Sequence, residues 1–233
     1  MTATPPRVAV APVAATAAIA RGAGDGWLTD DERGRLAVMG SARRRAQFLA
    51  GHWLARTFAG RVLRIEVDGC ALVRADDGSP RLHVDGRASR WHVSLTHSGD
   101  FVACALAPAP VGVDLEMPRA GRDLAGLAAF AFSPEEGARL AALPEATRSG
   151  EFHRLWSLKE ARGKQIGEGL LPRRSRQLTA WPAVPGEAHA ATWSVADGTL
   201  SVVCDRVVET VVEGLPAPAS PAWWRFGAAS DDQ

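Results

Sequence analysis

A chain of 233 residues and 24.7 kDa is long enough for one large domain or two small ones, each with a core of its own. A formal net charge of +1, from 27 basic against 26 acidic residues, excludes a strongly basic nucleic-acid binder. With 46% hydrophobic and 23% charged residues the composition suggests neither disorder nor a membrane protein, and there is no apolar run of about 18 residues to span a bilayer.

Tyr and Asn are absent, and of the 27 basic residues 25 are Arg and two are Lys. GC-rich codon usage accounts for this, and where Arg has replaced Lys wherever it can, the surviving lysines mark places that need a compact ammonium. They are Lys159 and Lys164. Cys70, Cys104 and Cys204 lie far apart with no CxxC spacing, which argues for a reducing, cytoplasmic compartment and against a disulfide framework or a zinc site.

In chain order, Arg7 and the apolar run Val8 to Ala20 imitate an export signal, but the run is mostly Ala and contains Pro12. A first strand over Arg7 to Ala11 is the better reading. Thr29 with Glu32 three residues later forms a capping box that starts a helix. A second helix is predicted from about Ser41 to Ala59, with Phe48, Leu49, Trp53, Leu54 and Phe58 at helical spacing and Arg43, Arg44, Arg45 and Arg56 opposite. Val62 to Val73 reads as strand, and Asp76 to Pro80 as a turn. Trp91 to Leu95 and Phe101 to Leu106 read as strands joined by the turn Thr96 to Asp100, followed by the stiff connector Ala107 to Pro110.

The alternation then repeats: a strand over 111–116, helices near 122–130 and 134–142, a long helix over about 150–167, and strands near 192–196, 200–205 and 208–212. Trp193 to Cys204 weakly echoes Trp91 to Cys104, which predicts two similar halves, residues 1–110 and 111–233. Residues 216–222 and Ala228 to Gln233 read as tail.

Three constellations can carry chemistry. Strand alternation puts Gly112, Asp114 and Glu116 on one face, two carboxylates whose repulsion a hard cation such as Mg²⁺ or Mn²⁺ relieves; the alternative is a solvated strand face. Trp156, Glu160 and Lys164 follow at helical spacing and stack an acid and an ammonium under an aromatic, where the plain alternative is a surface ion pair. His97 between Thr96 and Ser98 can donate to a phosphate or act in proton transfer, although the composition also suits an ordinary turn. No GxSxG, HExxH or GxxxxGK[ST] occurs, which removes serine hydrolases, zincins and P-loop NTPases.

Taken in order, Ser94-Leu95-Thr96-His97-Ser98, Val111-Gly112-Val113-Asp114-Leu115-Glu116, Phe132-Ser133-Pro134-Glu135-Glu136 and the run Trp156-Ser157-Leu158-Lys159-Glu160-Ala161-Arg162-Gly163-Lys164 resemble the 4'-phosphopantetheinyl transferase superfamily, in its Sfp-type branch. The resemblance covers about residues 25–212. It implies an α+β fold of two pseudo-symmetric halves, each a small, mostly antiparallel sheet packed with a long helix, in a monomer with its active site at the interface of the halves. The implied reaction is Mg-dependent transfer of the phosphopantetheine arm of coenzyme A to a Ser of an acyl or peptidyl carrier protein, with adenosine 3',5'-bisphosphate released.

On this resemblance Asp114, Glu116 and Glu160 hold Mg²⁺, or Mn²⁺, against the CoA pyrophosphate, and Lys164 balances its charge and protonates the leaving group. His97 contacts the CoA 3'-phosphate beside Thr96, and Arg45, Arg56 and Lys159 complete the CoA contacts. The general base stays open among Glu160, Glu136 and a metal-bound water. Gly78-Ser79-Pro80 departs from the family in having no base at its centre. Two other classes compete: a degenerate binding module for CoA or a carrier, which would have lost an acid or Lys164, and a metal-dependent pyrophosphate hydrolase with water as nucleophile. No nucleic acid or membrane partner is expected, and residues 130–150 are the candidate carrier-docking segment.

Overall fold

The computed structural model describes residues 4–215 and 220–229. In chain order the elements are β1 (Arg7–Pro12), α1 (Val13–Gly22), α2 (Asp30–Val38), α3 (Ala42–Leu63), β2 (Cys70–Arg74), β3 (Pro80–Val84), β4 (Arg87–Ala88), β5 (His92–Ser98) and β6 (Phe101–Ala107). They continue as β7 (Gly112–Glu116), α4 (Leu124–Ala131), α5 (Pro134–Ala142), α6 (Glu145–Gln165), α7 (Pro172–Arg176), β8 (Leu178–Pro182), β9 (Ala190–Val195), β10 (Gly198–Val203), β11 (Val211–Glu213) and β12 (Ala222–Ala228). The chain divides into two compact units. The first runs up to Val111 and takes back Thr210–Gly214; the second is Gly112–Glu209 with the described residues from Leu215 onward.

In the first unit β1 lies between β11, to which it is parallel, and β6, which pairs antiparallel with β5. Helix α3 lays Phe48, Leu54 and Phe58 over this sheet, in one core with Val93, Val102 and Leu106. Each such side chain stabilises by roughly 1.5–3 kcal/mol on full burial. A three-stranded sheet, β2-β3-β4, adds Leu72 and Leu82 to the same core. In the second unit the order is β7-β10-β9-β12-β8, all antiparallel, and α6 packs Phe152, Leu155, Trp156 and Leu158 in a core with Ala180, Ala190 and Trp224.

Each unit contains one strand, a long helix and then a hairpin whose second strand pairs with the first: β1, α3, β5-β6 and β7, α6, β9-β10. A second device repeats. The helix before each long helix begins with a capping box, Thr29 with Glu32 and Ser133 with Glu136. The capping Glu then reaches a buried cation on the long helix, Arg56 at 2.6 Å in the first unit and Lys159 at 2.9 Å in the second.

The structure corrects several boundaries. Helix α3 continues to Leu63, ended by Arg64 in the left-handed region at φ 59°, so the strand expected from Val62 begins only at Cys70. Thr96, His97 and Ser98 belong to β5, in register with Ala103, Val102 and Phe101, and not to a turn. The long helix begins at Glu145. β8 was not anticipated, and the C-terminal stretch supplies β12, an interior strand of the sheet. Residues 216–219 and 230–233 of the expected tail lie outside the described residues.

Candidate active site

β7 is an edge strand, yet its Asp114 face is not solvated: Gly112, Val113, Asp114 and Leu115 are all buried because α6 lies on it. Gly112 is what permits this approach. A Cβ there would stand 1.8 Å from the Ala161 carbonyl oxygen and 2.7 Å from the Gln165 nitrogen, both α6 backbone atoms that cannot rotate away. The Ser157 hydroxyl donates to the Asp114 carbonyl at 3.1 Å and fixes the register of helix on strand.

This packing brings Glu160 and Lys164 of α6 to the acids of β7. Lys164 Nζ donates to Asp114 Oδ1 at 2.7 Å and to the Val113 carbonyl at 3.1 Å. Arg122 donates to Glu116 Oε2 at 3.1 Å, with its guanidinium over the Trp156 ring, 4.8 Å from the centroid. Burial, followed by the Asp114 charge, pushes the Glu116 carboxyl up to about 7 against the pull of Arg122. Burial and then Asp114 also raise Glu160, against Lys164 and Arg122. Asp114 therefore acts on both glutamates, and the three acids form one electrostatic cluster.

An all-oxygen, repelling acid set has the donor chemistry of a Mg²⁺ or Mn²⁺ site. Among the described residues, however, no three His, Cys, Asp or Glu side chains are gathered as ligands of one ion. Lys164 pairs with Asp114 and Arg122 with Glu116, and the Glu160 carboxylate stands beside them.

Three expected site residues are buried in ion pairs. Glu136 is 0% exposed; its carboxylate accepts from the Ser133 N–H at 2.9 Å and the Ala180 N–H at 2.7 Å and pairs with Lys159, so it has no path to a carrier hydroxyl. Lys159, 3% exposed, gives its ammonium to Glu136, the Ser175 carbonyl at 2.6 Å and the Leu178 carbonyl. Arg56, 0% exposed, is the equivalent cation of the first unit, bound to Glu32 and stacked on Trp27. The need for a compact ammonium was legible at both lysines; at Lys159 the need is three buried acceptors around one point charge.

The first unit carries a cavity of about 470 Å³ lined by residues of α2, α3 and β5, among them Arg35, Arg44, His52, Thr96 and His97. Thr96 and His97 thus open onto one space. Arg45 does not line it: its guanidinium donates to the Met39 carbonyl and closes the turn before α3, and Arg44 takes the expected place. Arg35 and His52 were missed, although Arg35 lies one helical turn from Asp31 and His52 one turn after Phe48 on faces visible in the sequence. In the second unit α4, α5 and the start of α6 border an apolar groove of about 850 Å³, with Leu124, Phe132 and Leu140 in it and Arg148 and Arg176 among its lining residues.

The comparisons with known proteins agree with one another. A family model described as the 4'-phosphopantetheinyl transferase superfamily matches residues 110–199, the span that holds β7 and α6. The 4'-phosphopantetheinyl transferase HetI of Nostoc sp. strain PCC 7120 is 29% identical over 201 residues, 85% of this chain and 83% of that protein. Over the span that builds β7 and α6, the chain is similar to the 4'-phosphopantetheinyl transferase superfamily. Further superfamily relatives are a Bacillus subtilis 4'-phosphopantetheinyl transferase, 31% identical over 52% of each chain, and the psf-1 transferase of Bacillus pumilus, 37% identical over 46% of this chain and 43% of that one. The chain therefore spans about half the length of these two relatives.

Proposed function

We propose that this protein transfers the 4'-phosphopantetheine arm of coenzyme A to a serine hydroxyl of an apo acyl or peptidyl carrier protein and releases adenosine 3',5'-bisphosphate. The observation that carries the proposal is the cluster of Asp114, Glu116, Glu160 and Lys164 built by β7 and α6. Asp114, Glu116 and Glu160 would hold a divalent cation, which supplies neutralising charge to the pyrophosphate as its P–O bond breaks. Lys164 holds Asp114 in place and delivers a proton from Nζ to the departing phosphate oxygen. Glu160, raised by burial and by Asp114, is the carboxylate suited to take the serine proton, since Glu136 is enclosed.

The cavity of the first unit is the place for the CoA nucleotide. Arg35, Arg44, His97 and Thr96 meet Met39, Phe48 and Leu95 there, and no carboxylate lines it. Cations for phosphate and apolar side chains for a base are what a nucleoside phosphate needs. The groove along α4 and α5 has an apolar floor, with Arg148, Arg176 and one acid, Glu145, on its lining, and this excess of base over acid suits an acidic carrier helix. Charge reversal at Arg148 and Arg176 is expected to raise KM for the carrier with little change in kcat.

Chromatography of the released nucleotide tests the reading. Adenosine 3',5'-bisphosphate should form only when CoA, Mg²⁺ and an apo carrier are all present. Release without a carrier identifies a hydrolase and overturns the transferase reading.

A further inference from the structure

The nucleotide cavity contains a second imidazole that the functional reading does not use. His52, on α3, lines the space beside Thr96 and His97, and its side chain keeps 13% exposure. Its Nδ1 is taken by Glu32 Oε1, and its ring is stacked on Phe48 with centroids 4.0 Å apart and planes 24° apart. The ring is therefore fixed in position and in plane. With Nδ1 committed, Nε2 is the polar atom left for the cavity.

We propose that His52 is a phosphate ligand of this cavity, binding a nucleotide phosphate through Nε2–H while Glu32 holds Nδ1–H. The inference rests on the reading that the cavity takes the CoA nucleotide and adds a binding residue to it.

The charges around His52 decide how this works. Glu32, on α2, is 1% exposed, and its other oxygen accepts from Arg56 at 2.6 Å and from the Thr29 N–H at 2.8 Å. Arg35 on α2, Arg44 on α3 and His97 on β5 line the same cavity. Burial is the largest influence and holds His52 below the usual imidazole range; Arg56 and Arg35 act in the same direction, while Glu32 opposes them. The empty-handed ring is thus neutral at pH 7, with an Nε2 lone pair that repels a phosphate oxygen. A dianionic phosphate reverses the balance: the ring takes one proton from solvent, Nε2 becomes a donor, and Glu32 behind it stabilises the imidazolium. Binding of the nucleotide and uptake of a proton by His52 are then the same event, and affinity falls as pH rises.

The test is calorimetric titration of the whole protein with adenosine 3',5'-bisphosphate, at pH 6.5 and 8.5, in pairs of buffers that differ in ionisation enthalpy. Against wild type, His52→Gln should weaken binding about tenfold at pH 6.5 and less at pH 8.5, and should take up fewer protons on binding. Glutamine keeps a donor for Glu32 but cannot titrate. Equal affinity and equal proton uptake in the two proteins overturn the proposal and leave the nucleotide reading standing. Failure of the wild type to bind the nucleotide overturns both. Should the variant not fold, the assigned His52 ring resonance of the wild type is titrated by NMR with and without the nucleotide: a raised ionisation midpoint in the complex supports the proposal, and an unmoved one refutes it.

Discussion

Replacing Gly112 by alanine tests how α6 and β7 build the site. The added Cβ would lie 1.8 Å from the Ala161 oxygen and 2.8 Å from its carbonyl carbon, where real Cβ contacts below 3.0 Å essentially never occur. Both partners are backbone, so α6 must retreat from β7 by more than about 1 Å. Overpacking of this kind costs roughly 1–3 kcal/mol, and stretching the 3.1 Å Ser157 bond to Asp114 beyond hydrogen-bond reach adds about 1 kcal/mol. For a chain of this length the sum corresponds to a fall in Tm of roughly 5–15 °C. Function should suffer more, because the same retreat carries Lys164 and Glu160 away from Asp114, and a displacement of about 1 Å at a catalytic site costs on the order of 10²-fold. Thermal denaturation and carrier modification by the purified variant read the two effects. Gly34→Ala, in α2 with nothing within 4 Å of the added methyl, is the control and should be neutral or stabilising by about 0.4–1 kcal/mol. A Gly112→Ala protein with wild-type Tm and wild-type rate would refute the reasoning.

The structural ion pairs make different predictions. Lys159→Met should lose about 3–5 kcal/mol in urea denaturation by leaving Glu136 charged and buried, and Lys159→Met with Glu136→Gln should recover a large part of it. If Lys159 acted on CoA, the double variant would fold well and remain inactive; the account expects it to fold and turn over. The Glu32 carboxyl is held at about 2 against an ordinary 4.5: burial alone would raise it, and the bonds from His52 and Arg56 overcome that. Because its folded value is depressed, the contribution is fully present above about pH 4.5 and is lost as pH falls through about 2; it amounts to about 3 kcal/mol. Chemical denaturation at pH 3 and pH 6 should show about 2 kcal/mol of it in the wild type, the rest being lost as pH falls further through about 2, and a smaller difference in Glu32→Gln. Glu160→Gln should keep its Tm within about 2 °C, since it removes a charge that burial and Asp114 disfavour, and should lower transfer by at least about 10²-fold.

What the sequence disclosed depended on whether a residue's role was local. The capping box at Thr29 and the helix over Pro134–Ala142 were read because their signals lie within one helical turn, whereas the box of Ser133 with Glu136 was not. The echo between Trp91 and Trp193 hairpins reflected a real repeat of order, one strand, one long helix and one hairpin. The acid and lysine spacings of β7 and α6 were legible as well, and packing at Gly112 brought them together. Long-range partners were not legible. Nothing near Arg56 in sequence announces Glu32, 24 residues earlier, and a buried cation whose partner is unseen looks like a ligand for phosphate. The partner of Lys159 was hidden in the same way, and Glu136 carries both a helix cap and that ion pair on one side chain. β12 escaped notice because Ala222 to Ala228 follows a Pro-rich stretch and has no clean alternation, yet its Trp224 is among the buried side chains of the second core.

The central claim is that the cluster on β7 and α6 moves the phosphopantetheine arm with the help of a divalent cation. Intact-mass analysis of an apo carrier protein, incubated with CoA and the wild-type protein, with Mg²⁺ or with EDTA, addresses it directly. One phosphopantetheinyl group is expected on the carrier with Mg²⁺ and none with EDTA, and Glu160→Gln with Mg²⁺ should modify it at least about 10²-fold more slowly. Modification that persists in EDTA, or at full rate in Glu160→Gln, would contradict the central claim.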